Sequence, residues 1–129
     1  MPEITGIIVN YNAGDMLLES VKSLLCEACV CKVIVIDNNS RDNSLNVIEQ
    51  LSEGKDRLEY IRNFENIGFA KACNMAIPMV KSDYMLFFNP DCIVEQNSLE
   101  RMMNFMEKNT TAGMTGPCLL NPDGSEQAG

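Results

Sequence analysis

The sequence predicts an α/β fold, a three-layer sandwich whose mostly parallel, twisted sheet is covered by helices on both faces. Strand-like and helical segments alternate at a spacing of about 25 residues, the pattern of successive βαβ units. Two strand segments, 34–36 and 84–88, are apolar throughout, as strands buried on both faces are. The clearest strand segments stop at once in polar turn residues, so the chain is cut into short, regular elements.

Residues 4–9 are a β-branched apolar run closed by Asn10, Tyr11, Asn12, Ala13 and Gly14, a buried strand entering a turn. Leu17, Val21, Leu24, Leu25 and Ala28 then recur on one helical face, with Glu19 and Lys22 on the other. Asp15 or Asn12 stands where that helix needs a cap. Residues 33–36 form a second aliphatic strand, stopped by Asp37, Asn38, Asn39 and Ser40. Leu45, Ile48 and Leu51 mark a helix that Ser40 or Asp42 can cap, and Gly54 breaks the chain soon after. Residues 58–61 read as a weaker third strand. Residues 69–80 are helical through Ala70, Ala72, Ala76 and Ile77, until Lys81, Ser82 and Asp83 turn the chain. The fourth strand, 84–88, ends in Asn89, Pro90 and Asp91. Leu99, Met102, Met103 and Met106 line a last helix that starts near Asn97 or Ser98, its methionines serving as core packing. A short extended piece near Met114 follows, and then a structural turn, Asn121-Pro122-Asp123-Gly124.

Composition narrows the chemistry. A chain of 129 residues with 46% hydrophobic content is sized for a single domain, 1–129, with a sizeable core. It contains no histidine, which removes imidazole dyads, triads and pH switches. Acid, base or metal work falls to carboxylates, amides, lysines or thiols. A net charge of -8 speaks against gripping nucleic acid or an anionic membrane through bulk charge, so an anionic ligand needs a local device. No window reaches the roughly 18 apolar residues of a membrane helix, and Met1-Pro2-Glu3 opens no signal peptide. The expected location is cytoplasmic, with peripheral attachment at the inner face of the membrane as its variant. Cys26, Cys29, Cys31, Cys73, Cys92 and Cys118 are read as buried or idle thiols, since a core of this size needs no disulfide staples. The C-x2-C-x-C cluster lacks an evident fourth zinc ligand.

In an open α/β sheet, ligands bind beyond the carboxyl ends of the strands where strand order reverses. There the sequence places Asn10, Tyr11 and Asn12, then Asp37, Asn38 and Asn39, then Asn89, Pro90 and Asp91. Asn and Asp are ordinary turn and cap residues, so one triplet carries little weight. Three on one rim, one holding a carboxylate directly after a strand with two phenylalanines, point to a site.

Five segments, IIVNYNAGDMLLESVKSLL (7–25), VIVIDNNSRDNS (33–44), NIGFAKACNMAI (66–77), MLFFNPDCIVEQNSLERMM (85–103) and GPCLLNPDGS (116–125), together resemble the family 2 glycosyltransferases. These have the GT-A fold, a Rossmann-like architecture of nucleotide-diphospho-sugar transferases. The chain is most similar to the branch resembling bacterial rhamnosyltransferases of surface-polysaccharide synthesis. The resemblance implies that Val9, Asn10 and Tyr11 line a nucleobase pocket, and that Asp37 accepts a hydrogen bond from the imide N–H of uracil or thymine, a donor adenine lacks. Gly68 and Lys71 then lie beside the nucleotide, Lys71 supplying a local cation for a diphosphate. Asn89, Pro90 and Asp91 stand in the place of a D-x-D motif that holds Mg²⁺ or Mn²⁺ between the donor's phosphates. With asparagine at its first position, Asp91 is the direct ligand and Asn89 lies nearer the ribose or sugar.

The resemblance implies a donor half that takes a UDP- or dTDP-sugar. An unidentified saccharide or lipid-linked acceptor, and the general base that deprotonates it, belong to a later segment of the family. Glu95, Asp123 and Glu126 have no motif around them and are not nominated as that base. By itself this portion is expected to bind nucleotide and turn over little or no sugar. The alternative is a truncated, non-catalytic nucleotide-binding or dimerisation module, forming a homodimer. A receiver-like phosphoacceptor domain fits poorly, because strand 1 ends in Asn10, Tyr11 and Asn12 where receivers carry carboxylates.

Overall fold

A computed structural model of the chain describes residues 1–128. Strands β1 (Ile4–Asn10), β2 (Val30–Asp37), β3 (Leu58–Arg62) and β4 (Tyr84–Phe88) form one parallel sheet in the order β3-β2-β1-β4. Helices α1 (Met16–Leu25), α2 (Ser44–Glu49) and α3 (Phe69–Ala76) connect them, and α4 (Ser98–Lys108) follows. The chain divides into two compact units, Met1–Glu95 and a second that begins at Gln96.

The first unit holds the whole sheet. Gly6 on β1 faces α1, where a Cβ would lie 3.0 Å from Leu24 Cδ1. Its neighbour Ile7 points to the opposite face, into a buried cluster with Ile34, Ile36, Ala72 and Ala76. Helix α1 therefore covers one face and α3 the other, which gives the three layers. Alanines four residues apart let α3 approach the sheet closely. Each isoleucine buried there contributes roughly 1.5–3 kcal/mol of transfer free energy. In the second unit, Leu99 and Met103 are the buried positions of α4, while Met102 and Met106 are half-buried. The Asp123 carboxylate accepts the Ser125 N–H at 2.9 Å and the Ser125 hydroxyl at 2.6 Å, and Gly124 takes a φ of +88°, so that turn is self-contained.

Several local expectations are corrected. Strand β2 begins at Val30 rather than at residue 33, because its first residues continue the ladder to Ile4 of β1 although Lys32 interrupts the hydropathy. The helix expected over 69–80 is α-helical only to Ala76, and residues Ile77–Met79 tighten to a 3₁₀ turn. Pro78 supplies no N–H to continue the ladder. Helix α2 ends at Glu49, which leaves Leu51 beyond it. Strand β4 is not buried on both faces: Met85 and Phe87 are 42% and 48% exposed. Among the described residues it is an edge strand paired only with β1, and α3 packs over β1 and β2 instead. Around Met114, 87% exposed, no strand forms; the second unit has an isolated antiparallel bridge between Leu120 and Glu126. Among the described residues no helix is long and apolar enough to cross a membrane.

Candidate functional site

The chain runs from β1 outward to β2 and β3, then returns to place β4 on the other side of β1. Strand order thus reverses between β1 and β4, and the crevice beyond their carboxyl ends is the position favoured for a ligand. A cleft of about 410 Å³ opens there, lined by Tyr11, Asn12, Ala13, Met16, Asn89, Pro90 and Asp91. It adjoins a hollow of about 310 Å³ that shares Met16 and Asp91 and adds Asp15, Glu19 and Ile93. Volumes of this order suit small ligands.

The floor of the rim is a buried polar hub. Parallel register sets Asn10 beside Asp37, and neither side chain has any exposure. Asn10 Nδ2 donates to Asp37 Oδ1 at 2.8 Å, to Ser44 Oγ at 2.9 Å and to Ser40 Oγ at 3.1 Å. The other carboxylate oxygen of Asp37 accepts the Ser40 N–H at 3.0 Å. Asn38 is tied beside it, donating to the Gly68 carbonyl at 3.1 Å and accepting from Asn63 Nδ2 at 3.1 Å. No buried side-chain nitrogen or oxygen among the described residues lacks a partner, as a stable polar interior requires.

Above the hub, the loop after β1 turns through Asn12 at φ +54° and Gly14 at φ +62°. Asparagine is one of the few side chains that tolerate this left-handed setting. Rather than capping α1, Asn12 Oδ1 accepts the N–H groups of Arg41 and Asp42 at 2.8 and 3.3 Å. Asp42 in turn accepts the Gly14 N–H at 2.8 Å, and the Ser44 N–H at 3.1 Å together with the Ser44 hydroxyl. The Ser44 hydroxyl foremost, with the backbone N–H donors, holds the Asp42 carboxyl below the usual carboxylate range.

The loop after β4 is held from α1. Buried Ser20 aims its hydroxyl at the carbonyls of Pro90, 2.7 Å away, and Cys92. Ser23 Oγ accepts the Val94 N–H at 3.2 Å. The two carbonyls that Ser20 holds flank Asp91, the residue that the loop presents to the cleft. Burial, then the Asp91 carboxylate, pushes the Cys92 thiol up, and burial does the same to Cys73; protonated thiols are poor nucleophiles.

Of the residues expected at the site, Tyr11, Asn89 and Asp91 line the cleft together. Val9 packs instead against the buried cluster under α3. Asn10 and Asp37 lie beneath the surface, where Asn10 and Ser40 donate to the two oxygens of Asp37, each of which keeps a further lone pair. Gly68 and Lys71 stand at the start of α3 and do not line the cleft. Ser20, Ser23 and the loop-to-loop role of Asp42 escaped the sequence reading. A serine on the apolar stripe of α1 was the available signal for Ser20.

A metal of the expected kind fits the donors present. Mg²⁺ is commonly held by one or two carboxylates plus substrate phosphates, keeping several waters, and Asp91 offers one exposed hard oxygen ligand at the cleft. Among the described residues, no group of three His, Cys, Asp or Glu forms a preformed cage. The donor set therefore suits an ion that arrives with a diphosphate.

Comparison with known proteins agrees with the fold and shows the family. The chain is 28% identical over 126 residues to the putative teichuronic acid biosynthesis glycosyltransferase TuaG of Bacillus subtilis, covering 96% of this chain and 50% of that protein. It is 29% identical over 115 residues to a poly-beta-1,6-N-acetyl-D-glucosamine synthase of Staphylococcus aureus, covering 88% of this chain and 28% of the synthase. The chain thus spans half or less of the length of these relatives. In fold it matches the mannosyltransferase PcManGT of Pyrobaculum calidifontis, solved with GDP-Man and Mn²⁺, at a TM-score of 0.77 and 18% identity over 95% of this chain and 36% of that one. It also matches S. aureus TarS, solved with UDP-GlcNAc, at a TM-score of 0.71 and 20% identity over 89% of this chain and 37% of that one. The model of the Glycosyl transferase family 2 matches residues 5–127, and the chain belongs to that family.

Proposed function

We propose that this chain is the donor-binding part of a glycosyltransferase, taking a UDP- or dTDP-sugar at the cleft between the ends of β1 and β4. The observation that carries the reading is the convergence of Tyr11, Asn89 and Asp91 on that cleft, at the one point where strand order reverses. Tyr11, 55% exposed, offers a ring face against which a base can pack. Asn89 supplies neutral donors and acceptors for ribose or sugar hydroxyls. Asp91 would hold Mg²⁺ or Mn²⁺, which when bound neutralises charge on the departing nucleoside diphosphate. In the transfer, the bond from the anomeric carbon to the phosphate oxygen breaks, and one to the acceptor oxygen forms. The acceptor proton passes to a base, and Glu95 lines neither hollow.

The Asn-Pro-Asp form of the motif supports a place near the rhamnosyltransferase-like members. The relatives named for teichuronic acid biosynthesis and as a poly-beta-1,6-N-acetyl-D-glucosamine synthase support a role in surface-polysaccharide synthesis. Calorimetric titration with UDP, dTDP and ADP, each with and without Mn²⁺, tests the reading. UDP or dTDP should bind with a Mn²⁺-dependent gain that Asp91→Ala abolishes, and ADP, which lacks the imide N–H that Asp37 would accept, should bind more weakly. Equal binding of all three, or none, refutes it.

A further inference from the structure

Asn12 is a non-glycine residue in the left-handed region, and its setting is fixed from three directions. Its side-chain oxygen accepts two N–H groups of the 40–44 segment, and its own N–H donates to Ser40 Oγ at 2.9 Å. Two residues on, the Gly14 N–H is captured by Asp42 Oδ2 at 2.8 Å. Asn12 and Asp42 are both exposed. Exposed hydrogen bonds exchange with water and add little to folding, so this over-determined backbone is poorly explained by stability alone. Residues held in sparsely populated backbone regions recur at ligand clamps. Tyr11 immediately precedes Asn12 and is more than half exposed at 55%, so its ring is placed more by its backbone than by packing.

We infer that Asn12 and Asp42 are positioning residues of the cleft: they fasten the loop after β1 to the loop after β2, and so present Tyr11 in one setting to the ligand. The inference rests on the reading of the cleft as a nucleotide site. Neither residue need touch the nucleotide for this role. Their effect on affinity is to remove loop freedom that binding would otherwise have to remove.

The test is a double-mutant cycle read by UDP calorimetry in the presence of Mn²⁺ on the full 129-residue chain. Asn12→Gly keeps the positive φ without steric cost and deletes the side-chain oxygen. Asp42→Asn keeps an oxygen for Ser44 but can set an amide against the Gly14 N–H. Each should weaken UDP binding about 3- to 10-fold, with melting temperature within about 2 °C of the parent. In a Tyr11→Ala background the same changes should cost less than about 2-fold, because the residue through which they act is gone. Unchanged affinity in both single variants, or a full loss that persists with Tyr11→Ala, overturns the inference while leaving the nucleotide site intact. A parent chain that binds no UDP overturns both.

Discussion

Replacing Ser20 with alanine isolates what holds the loop that presents Asp91. The Ser20 side chain is fully buried on α1, with its hydroxyl 2.7 Å from the Pro90 carbonyl and also against that of Cys92. One O–H is shared between two acceptors, and alanine leaves both without it. Loss of a hydrogen bond costs about 1 kcal/mol net, and a buried acceptor left unpaired costs about 1–3 kcal/mol. Pro90 and Cys92 are only half-buried, so their carbonyls can relax toward water and the lower end applies. Alanine also regains about 0.4 kcal/mol of helix propensity over serine. The balance is a destabilisation of about 1–1.5 kcal/mol, or a fall of about 3–7 °C in Tm for a chain of this length. Thermal melting reads the magnitude and amide hydrogen exchange reads the place. Exchange should quicken at the Cys92 N–H, bonded to the Asn89 carbonyl at 3.1 Å, and at the Val94 N–H held by Ser23. A Tm within 1 °C of the parent, or unchanged protection over 89–94, would refute the assignment of Ser20 as the anchor.

Three further outcomes follow from other parts of the first unit. Asn10→Ala removes the donor to the buried Asp37 carboxylate and should cost about 2–4 kcal/mol in urea unfolding; a cost under 1 kcal/mol would mean the hub rearranges freely. Gly6→Ala sets a methyl 3.0 Å from Leu24 Cδ1 in a fully buried contact and should cost about 1–3 kcal/mol by overpacking, where a neutral result would show that α1 can shift. Asp42 carries its carboxyl below the ordinary value when folded, chiefly through the Ser44 hydroxyl. Its contribution is therefore complete above the ordinary carboxylate pKa and is lost as pH falls through the lowered one. Asp42→Asn should flatten the fall of Tm with acid below about pH 4 and leave the profile between pH 6 and 8 parallel to the parent.

The layers were legible in the sequence because their cause is hydropathy. Ile34 and Ile36, apolar neighbours of a β-branched run, had to be inside, and both are fully buried. Where hydropathy is silent, the reading fell short. Lys32 looks like a break before a strand, yet the ladder from Ile4 carries β2 back to Val30. Phe87 looks like interior, yet nothing in a run of apolar letters says whether a helix reaches the fourth strand, and it is 48% exposed.

The same distinction runs through the site. Tyr11, Asn89 and Asp91 could be placed on the rim because each follows a strand, and strand ends are a local property. Asp37 also follows a strand, and its burial is decided across the sheet. Parallel register pairs it with Asn10, whose amide can donate where the carboxylate must accept. That complementarity lets two polar side chains sit at full burial without an unsatisfied atom. A carboxylate with its oxygens engaged from below serves the cleft by fixing where both loops begin, and Ser40 and Ser44, which share Asn10 as donor, carry that fixity upward to Asn12 and Asp42. The exposed Tyr11, Asn89 and Asp91 thus stand at the lip of the cleft, with the hydrogen-bonded pair beneath it.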